Sequence, residues 1–566
     1  MSSDIAMAAG AAVYPATGAG LWDRLTGTAM PLHSSIQCWV GGEYRSSPWT
    51  EVVRDAENMT AGLRRAGVRP GTRVATVLTN TPHVVRGLLG VWLAGGAIAS
   101  LPVPARGMSV EEYAAQLSAI ADQLDPVMFL VEENLLGVLP DELRARIPCR
   151  SFESFADSGR VDASPPEDDE LAFIQYSSGS TSTPKGCALS PRSMAAQLDI
   201  IADLIDARKG RDVFVSWLPL SHDMGLFGGL LSSWACDLSL FLSTPERFAY
   251  SPGTWFADMA KFGGRSSAGT NTALYLAARA AQRAGKIDPG GLAQVEHCII
   301  GAERIQWETL QYAATALGQY GLKPGGIVPA YGLAEGTLAV TYNHDDEPWR
   351  RLVLDATALA DGELVEVEAD DPAGASLVSA GRTCIGVSLD NAESDRLSEI
   401  VVRSPSLAMG YWGDEQRSAQ TFRDGALHTS DIGFVRDGHL YPVGRTDDLI
   451  SVAGRKIYAR EVESAVDGIK GVRRGCATLV DHHDGTVQRL TLFVEVTGAG
   501  RDFPAVAEAA ASLAMEKAAV VLDECVFLER NSLPKTPTGK IQRHRCRNLF
   551  DSGAFTPLAT VDLTSA

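Results

Sequence analysis

The most constraining stretch is residues 176–186, YSSGSTSTPKG, which follows directly on the apolar run LAFIQ. Glycine lets a backbone approach an anion closely, Ser/Thr hydroxyls and amide N–H groups donate to phosphate oxygens, and a lysine adds a point positive charge. The run reads as a polyphosphate cradle whose contacts come from Ser177, Ser178, Gly179, Ser180, Thr181 and Lys185. It is not a Walker loop, because glycine follows the lysine and the GxxxxGK spacing is missing. A plain surface loop has the same composition, so the rest of the chain must decide between the two.

Up to about residue 170, strand-like runs alternate with helical ones: RVATVL, HVVRGLLGVWLA, AIASLPV, VEEYAAQLSAIADQL and PVMFLVEE. That alternation predicts an α/β sheet with mostly parallel strands, and it places the cradle at the end of a buried strand, where ligands sit in such sheets. Residues 87–105 carry no charge over a length that could cross a bilayer. Gly95 and Gly96 divide them into a short helix and a strand, so a buried αβ unit is expected and no membrane span. A chain of 566 residues exceeds what one core usually supports. The expected division is a loose tail over 1–20, a large domain over 21–444 and a small C-terminal α+β domain over 445–566, with an acidic insertion-like stretch at about 339–378.

A formal charge of −19 argues against nucleic acid or an anionic membrane surface as partner. Nine scattered cysteines with no CxxC pair point to free thiols, and with no basic n-region at the start a cytoplasmic protein is expected.

Further candidates follow in chain order. After RSMAAQLDIIADLI, which has helical spacing, the strand VFVSWLPL leads into SHDMGLFGGLL, where His222 is a pocket or catalytic candidate, or a histidine that satisfies its own hydrogen bonds. Small residues from Ser266 to Thr272 floor a pocket or form a helix entrance capped by Thr270 or Asn271. HCIIGAERI and IVPAYGLAEGTLAV each place one glutamate, Glu303 or Glu335, in the turn after a strand. There a carboxylate is a magnesium ligand beside phosphates or a helix-start residue. In HTSDIG, Asp431 is placed to accept from a ribose diol or to cap a turn, and FVRDGHLYPVGR reads as a hairpin turning at Asp437-Gly438. Near the end, LPKTPTGKIQRHR sets Lys540 on a basic, proline-limited loop.

Taken together, YSSGSTSTPKG, GAE at 301–303, YGLAE at 331–335, TSD at 429–431, GRTDD at 444–448 and PKTPTGK at 534–540 resemble the adenylate-forming superfamily of acyl-CoA synthetases, peptide adenylation domains and luciferases. The resemblance runs from about residue 20 to 550. WLPLSHDMGL, YGLAEGTL with Ala334 where acyl-CoA synthetases commonly have Thr, and the long stretch before SAGR make the fatty acyl-AMP ligases the most similar branch. In that branch such an insertion accompanies poor use of coenzyme A and transfer to a carrier protein.

The resemblance implies ATP and Mg²⁺, and coenzyme A or phosphopantetheine as acceptor. It assigns the β- and γ-phosphates to residues 177–185, Mg²⁺ to Glu335, the adenine to Gly301, Ala302 and Tyr331 with Glu303 and Gly332 beside them, and the ribose to Asp431 and Arg445. Lys540 is the implied catalytic lysine, with Glu335 and His222 as its catalytic companions. Asp447 is the implied hinge of a mobile small domain, and Gly454 lies at the thiol tunnel. Met224, Ala268, Gly269 and Thr270 are expected in the acyl pocket, and Trp234 either lines it, restricting chain length or obstructing adenylation, or packs in the core. Ser430 departs from the pattern by replacing the glycine usual in TGD.

Overall fold

The computed structural model describes residues 20–564 except 103–109, 178–184, 285–286, 345–346, 372–373, 391–395, 446–448, 453–454, 485–486, 498–501, 519 and 536–540. Ser178, Gly179, Ser180, Thr181, Asp447, Gly454 and Lys540 lie outside the described residues, as does nearly all of the expected tail.

The chain is mixed α/β. A seven-stranded sheet has at its centre Ala97–Ser100, every residue buried, flanked by Arg73–Thr76 and Phe173–Ser177. Both neighbours run parallel to it, so all four residues face packed helices rather than water. The apolar stretch that could have spanned a bilayer is instead the helix Pro82–Leu93 followed by this strand. Thr81 accepts from the Val84 N–H at the helix N-terminus, and Gly95 turns the chain at φ +101°, where a Cβ would sit 2.8 Å from Pro70. Among the described residues no helix is long and apolar enough to cross a membrane.

A nine-stranded sheet forms the second layer. Its central strands Ser239–Leu242, Val213–Ser216, Ser266–Thr270, His297–Gly301 and Ile327–Gly332 run parallel, and antiparallel strands close both edges. The helix Pro191–Leu204 and the unusual π-helix Met224–Leu231 contribute to the shared core. Parallel strands end at the same edge, so the turns after Thr270, Gly301 and Gly332 gather there.

The described residues of the acidic stretch form strands and a short helix. Its first residues, Ala339–Tyr342, belong to the large sheet, and beyond them Arg351–Asp355 pairs antiparallel with Gly374–Val378 around a short helix, Ala356–Ala360. The expected hairpin is formed by Ala426–Arg436 and His439–Arg445, with Asp437 and Gly438 both at positive φ as a type I′ turn needs. The C-terminal region builds its own core on a four-stranded sheet, Val472–Asp484, Val487–Val496, Glu524–Leu528 and Ala559–Asp562.

Candidate functional site

A cavity of about 420 Å³ opens where the parallel strands end, and turns from distant parts of the sequence line it. The strand Phe173–Ser177 delivers Gln175 and Tyr176 to its edge, and the next strand begins at Lys185, paired with Ser177. Gly301 ends the strand His297–Gly301 and Ala302 and Glu303 follow it directly, and Tyr331 and Gly332 close Ile327–Gly332. Gly332 has no room for another residue, since a Cβ there would lie 1.9 Å from the Leu338 carbonyl oxygen.

One polar cluster joins three of the sequence candidates. The Tyr331 hydroxyl donates to Asp431 Oδ2 at 2.6 Å, and Arg445 Nε donates to Asp431 Oδ1 at 2.8 Å. Burial and the adjacent carboxylate hold the Tyr331 hydroxyl well above its ordinary range, so it stays a donor. Burial alone would weaken the charge on Arg445, yet Asp431 and then Glu335 outweigh it and push its pKa upward. The result is a fixed carboxylate beside a permanent cation, facing the cavity.

A second cluster surrounds Glu335. Tyr411 Oη donates to Glu335 Oε1 at 2.8 Å, and Lys185 Nζ lies 5.6 Å from the centre of the Tyr411 ring. Tyr411 also lines the cavity, and its hydroxyl is held up by burial and by Glu335. Tyr411 escaped the sequence reading because it arrives from a two-residue strand, Gly410–Tyr411, paired with the strand after the cradle. Nothing local marks a lone aromatic as the partner of a glutamate 76 residues away.

His222 lines the cavity with its Nδ1 2.6 Å from Asp223 Oδ1. Burial disfavours its charged form, but the neighbouring carboxylate more than offsets this, and the net direction is upward. Glu303 also borders the cavity, where its Oε2 accepts from the Thr272 N–H at 2.8 Å and so caps the helix Asn271–Ala284.

Of the residues expected in the acyl pocket, Met224 and Ala268 line the cavity. The other three are placed elsewhere. Gly269 faces Trp255, whose ring lies 2.3 Å from where a Cβ would be, and the Thr270 hydroxyl accepts from the Ala273 N–H. Trp234 is fully buried and stacked on Trp49 with ring centres 4.9 Å apart, so the large side chain fills core. The cavity wall is instead completed by residues not singled out as site candidates, among them Ile201, Leu204, Phe214, Gly228, Ile299 and Leu338. The C-terminal region also reaches the site, through Arg460, Ile541 and Gln542.

The described residues contain no group of three or more His, Cys, Asp or Glu side chains able to hold a metal. A single carboxylate, Glu335, fits a cation that takes its remaining ligands from a substrate's phosphate oxygens and water, as Mg²⁺ does.

The chain is similar to known proteins over most of its length. Residues 30–412 match the AMP-binding enzyme family. A 4-hydroxyphenylalkanoate adenylyltransferase of Mycobacterium marinum is 29% identical over 550 residues, 90% of this chain and 86% of that protein. The long-chain-fatty-acid–AMP ligase FadD32 of Mycolicibacterium smegmatis is 28% identical, covering 91% of this chain and 90% of that one. A structure solved in a study of fatty acyl-adenylate ligases from E. coli and L. pneumophila shares the fold with a TM-score of 0.85 at 24% identity, over 94% of this chain and 98% of that one. With residues 30–412 matched, most of the chain's length, the protein is an adenylate-forming member of the AMP-binding enzyme family.

Proposed function

We propose that the protein activates a hydrophobic carboxylic acid as its acyl-adenylate and then passes the acyl group to a thiol. In the first step a carboxylate oxygen bonds to the α-phosphorus of ATP and pyrophosphate leaves. In the second a thiolate bonds to the acyl carbon and AMP leaves. The observation that carries the reading is a single cavity holding the Tyr331–Asp431–Arg445 cluster and Glu335 at one end and apolar side chains at the other.

Asp431 accepts from the ribose hydroxyls, and Arg445 keeps it ionised and in place. Gly301, Ala302 and Tyr331 border the adenine, and residues 177–185 hold the outer phosphates. Glu335 is the residue that would hold Mg²⁺, which when bound neutralises charge on the triphosphate. Two anions must meet, so rate is gained by positioning and by preplaced positive charge. Lys540 supplies that charge. Its neighbour Ile541 lines the cavity and pairs with Lys535 in an isolated bridge. Transfer requires Lys540 to leave and the C-terminal region to turn about Asp447, bringing Gly454 to the site. A thiol near neutral pH needs no strong protein base.

The acceptor is a phosphopantetheinyl arm on a carrier protein or coenzyme A. The first is supported by the likeness to fatty acyl-AMP ligases. Ties between the acidic stretch and the C-terminal region must be released for the turn with either acceptor: Arg304 Nη2 donates to the Ser376 carbonyl at 2.9 Å, Arg304 Nη1 pairs with Glu461 at 2.5 Å, and Lys517 reaches the Gly374 carbonyl.

The test supplies ATP, Mg²⁺ and a panel of fatty and aryl acids, reads pyrophosphate, then adds coenzyme A or a pantetheinylated carrier protein and reads thioester. Lys540→Ala should lower pyrophosphate release about 10²–10³-fold, the scale of losing one preorganised donor. An unchanged rate would remove Lys540 from the mechanism. Pyrophosphate without thioester from either acceptor would leave a ligase of the first half-reaction only.

A further inference from the structure

We propose that the acid is a linear chain of medium length, and that Gly228 sets how much of it enters; this rests on the acid-activating reading above. The apolar part of the cavity is a slot between one face of the large sheet and the two helical segments packed on it. Strand register fixes which residues share that face. Phe214 is level with Ser266, which is level with His297, and two residues further along Ala268 is level with Ile299. Two residues beyond that stands Gly301, at the nucleotide end. Phe214, Ala268, Ile299 and Gly301 all line the cavity, so it follows the strands from Gly301 down to Phe214. Four residues at ~3.3 Å each give a depth of about 13 Å.

The opposite wall is built from Ile201, Leu204 and Ile205 at the end of the helix Pro191–Leu204 and from Met224 and Gly228 of the π-helix. Ile205 is held in place at the floor, where its carbonyl accepts from Arg265 Nη1 at 2.7 Å. At about 1.3 Å of advance per C–C bond, the slot takes on the order of ten carbons below the carboxyl group.

Gly228 stands at the throat. A Cβ built on it would lie 3.2 Å from Leu338 Cδ2 and 3.8 Å from Met224 Cγ, and both of those side chains line the cavity. Leu338 belongs to the upper end, since its carbonyl accepts from the Leu333 N–H beside Gly332. The two other glycines of the π-helix have different tasks. Gly225 packs on the Pro219 carbonyl and Gly229 on Ser216, so neither opens the slot. A π-helix widens the turn, is rare, and is frequently found at functional sites. Here it brings Met224 and Gly228 to the same wall, and the missing side chain at 228 leaves the passage open between the nucleotide end and the floor.

The experiment measures pyrophosphate release with even-numbered saturated acids of four to sixteen carbons and with arylalkanoic acids, for the full chain and its Gly228→Leu, Gly228→Ala and Phe214→Ala variants. In the parent, kcat/KM should peak near ten carbons. Gly228→Leu should raise the four- to ten-carbon specificity ratio at least about tenfold with the KM for ATP unchanged, since a lost methylene's worth of pocket is enough for discrimination of that size. Gly228→Ala should fall between, and Phe214→Ala should shift the peak to longer acids. A length profile unmoved in all three variants, or a parent that prefers sixteen-carbon or aryl acids to the ten-carbon acid, overturns the proposal while the adenylation reading stands. A parent that releases pyrophosphate with no acid overturns both.

Discussion

Ser430 sits beside the Asp431 carboxylate at φ +61°, in the left-handed region that disfavours any side chain with a Cβ. Its N–H donates to Glu399 Oε1 at 2.9 Å, which holds the strained turn and aims the next residue at the cavity. Replacing it by glycine removes the steric cost but frees the unfolded chain, and the two effects partly cancel. Ser430→Gly should therefore stabilise the protein by about 0.5–1 kcal/mol relative to Ser430→Ala in urea unfolding. Equal midpoints would mean that the turn carries no strain. The motif reading found this departure because a glycine position is visible in a string of letters. It also named Tyr331, Asp431 and Arg445, although 100 residues separate the first two. It did not find Tyr411 or Gly228, whose roles exist only through contacts across the fold. Trp234 shows the converse, a conspicuous residue near a motif whose bulk the core consumes.

At the scale of elements, the strand-to-turn units of the nucleotide end follow from alternation of apolar runs and glycine-bearing turns, and they are legible. The π-helix is not, because i→i+5 bonding leaves no composition signal that separates SHDMGLFGGLL from an apolar α-helix. The C-terminal region contains two acids whose environments act in opposite directions. Burial opposes the charge on Glu495, but hydrogen bonds from the Leu533 N–H at 2.9 Å and from Arg473 lower its pKa overall and fasten the chain after the strand Glu524–Leu528. Asp467 follows the helix Ala459–Val466. Burial raises its carboxyl from 3.8 to about 6, against a hydrogen bond from the Gly475 N–H at 2.8 Å. A raised carboxyl binds its proton more tightly in the folded state, so stability falls as pH rises from about 4 to about 6 and is flat above. Asp467→Asn should gain about 1–2 kcal/mol at pH 8, discounted for partial exposure, and little at pH 4. Hydrogen exchange of the amides of Ala459–Val466 at the two pH values reads this locally. An equal effect at both pH values would show that the carboxyl does not titrate between them.

For the molecule as a whole, the C-terminal region adds Arg460, Ile541 and Gln542 to the cavity lining, and ion pairs among the described residues help fasten it to the rest. Arg304, next in the chain to Glu303, pairs with Glu461, with 16% and 11% of the side chains exposed. At another contact Arg545 pairs with Glu112 at 2.5 Å. Neither pair is legible in the sequence, since each joins residues more than 150 positions apart and their letters are ordinary surface charges. A largely buried pair costs more to break than it contributes when formed, because the remaining partner keeps an uncompensated charge. If this pair holds the arrangement that makes acyl-adenylate, Arg304→Gln and Glu461→Gln should each lower pyrophosphate release, and the double variant should be no slower than the slower single one. The coupling expected from the cycle is about 1–2 kcal/mol. Thioester formation from supplied acyl-adenylate should not fall in the same variants, since that step needs the contact released. Additive losses in pyrophosphate release, or an equal loss in both half-reactions, would mean that the pair serves the fold and does not select the arrangement.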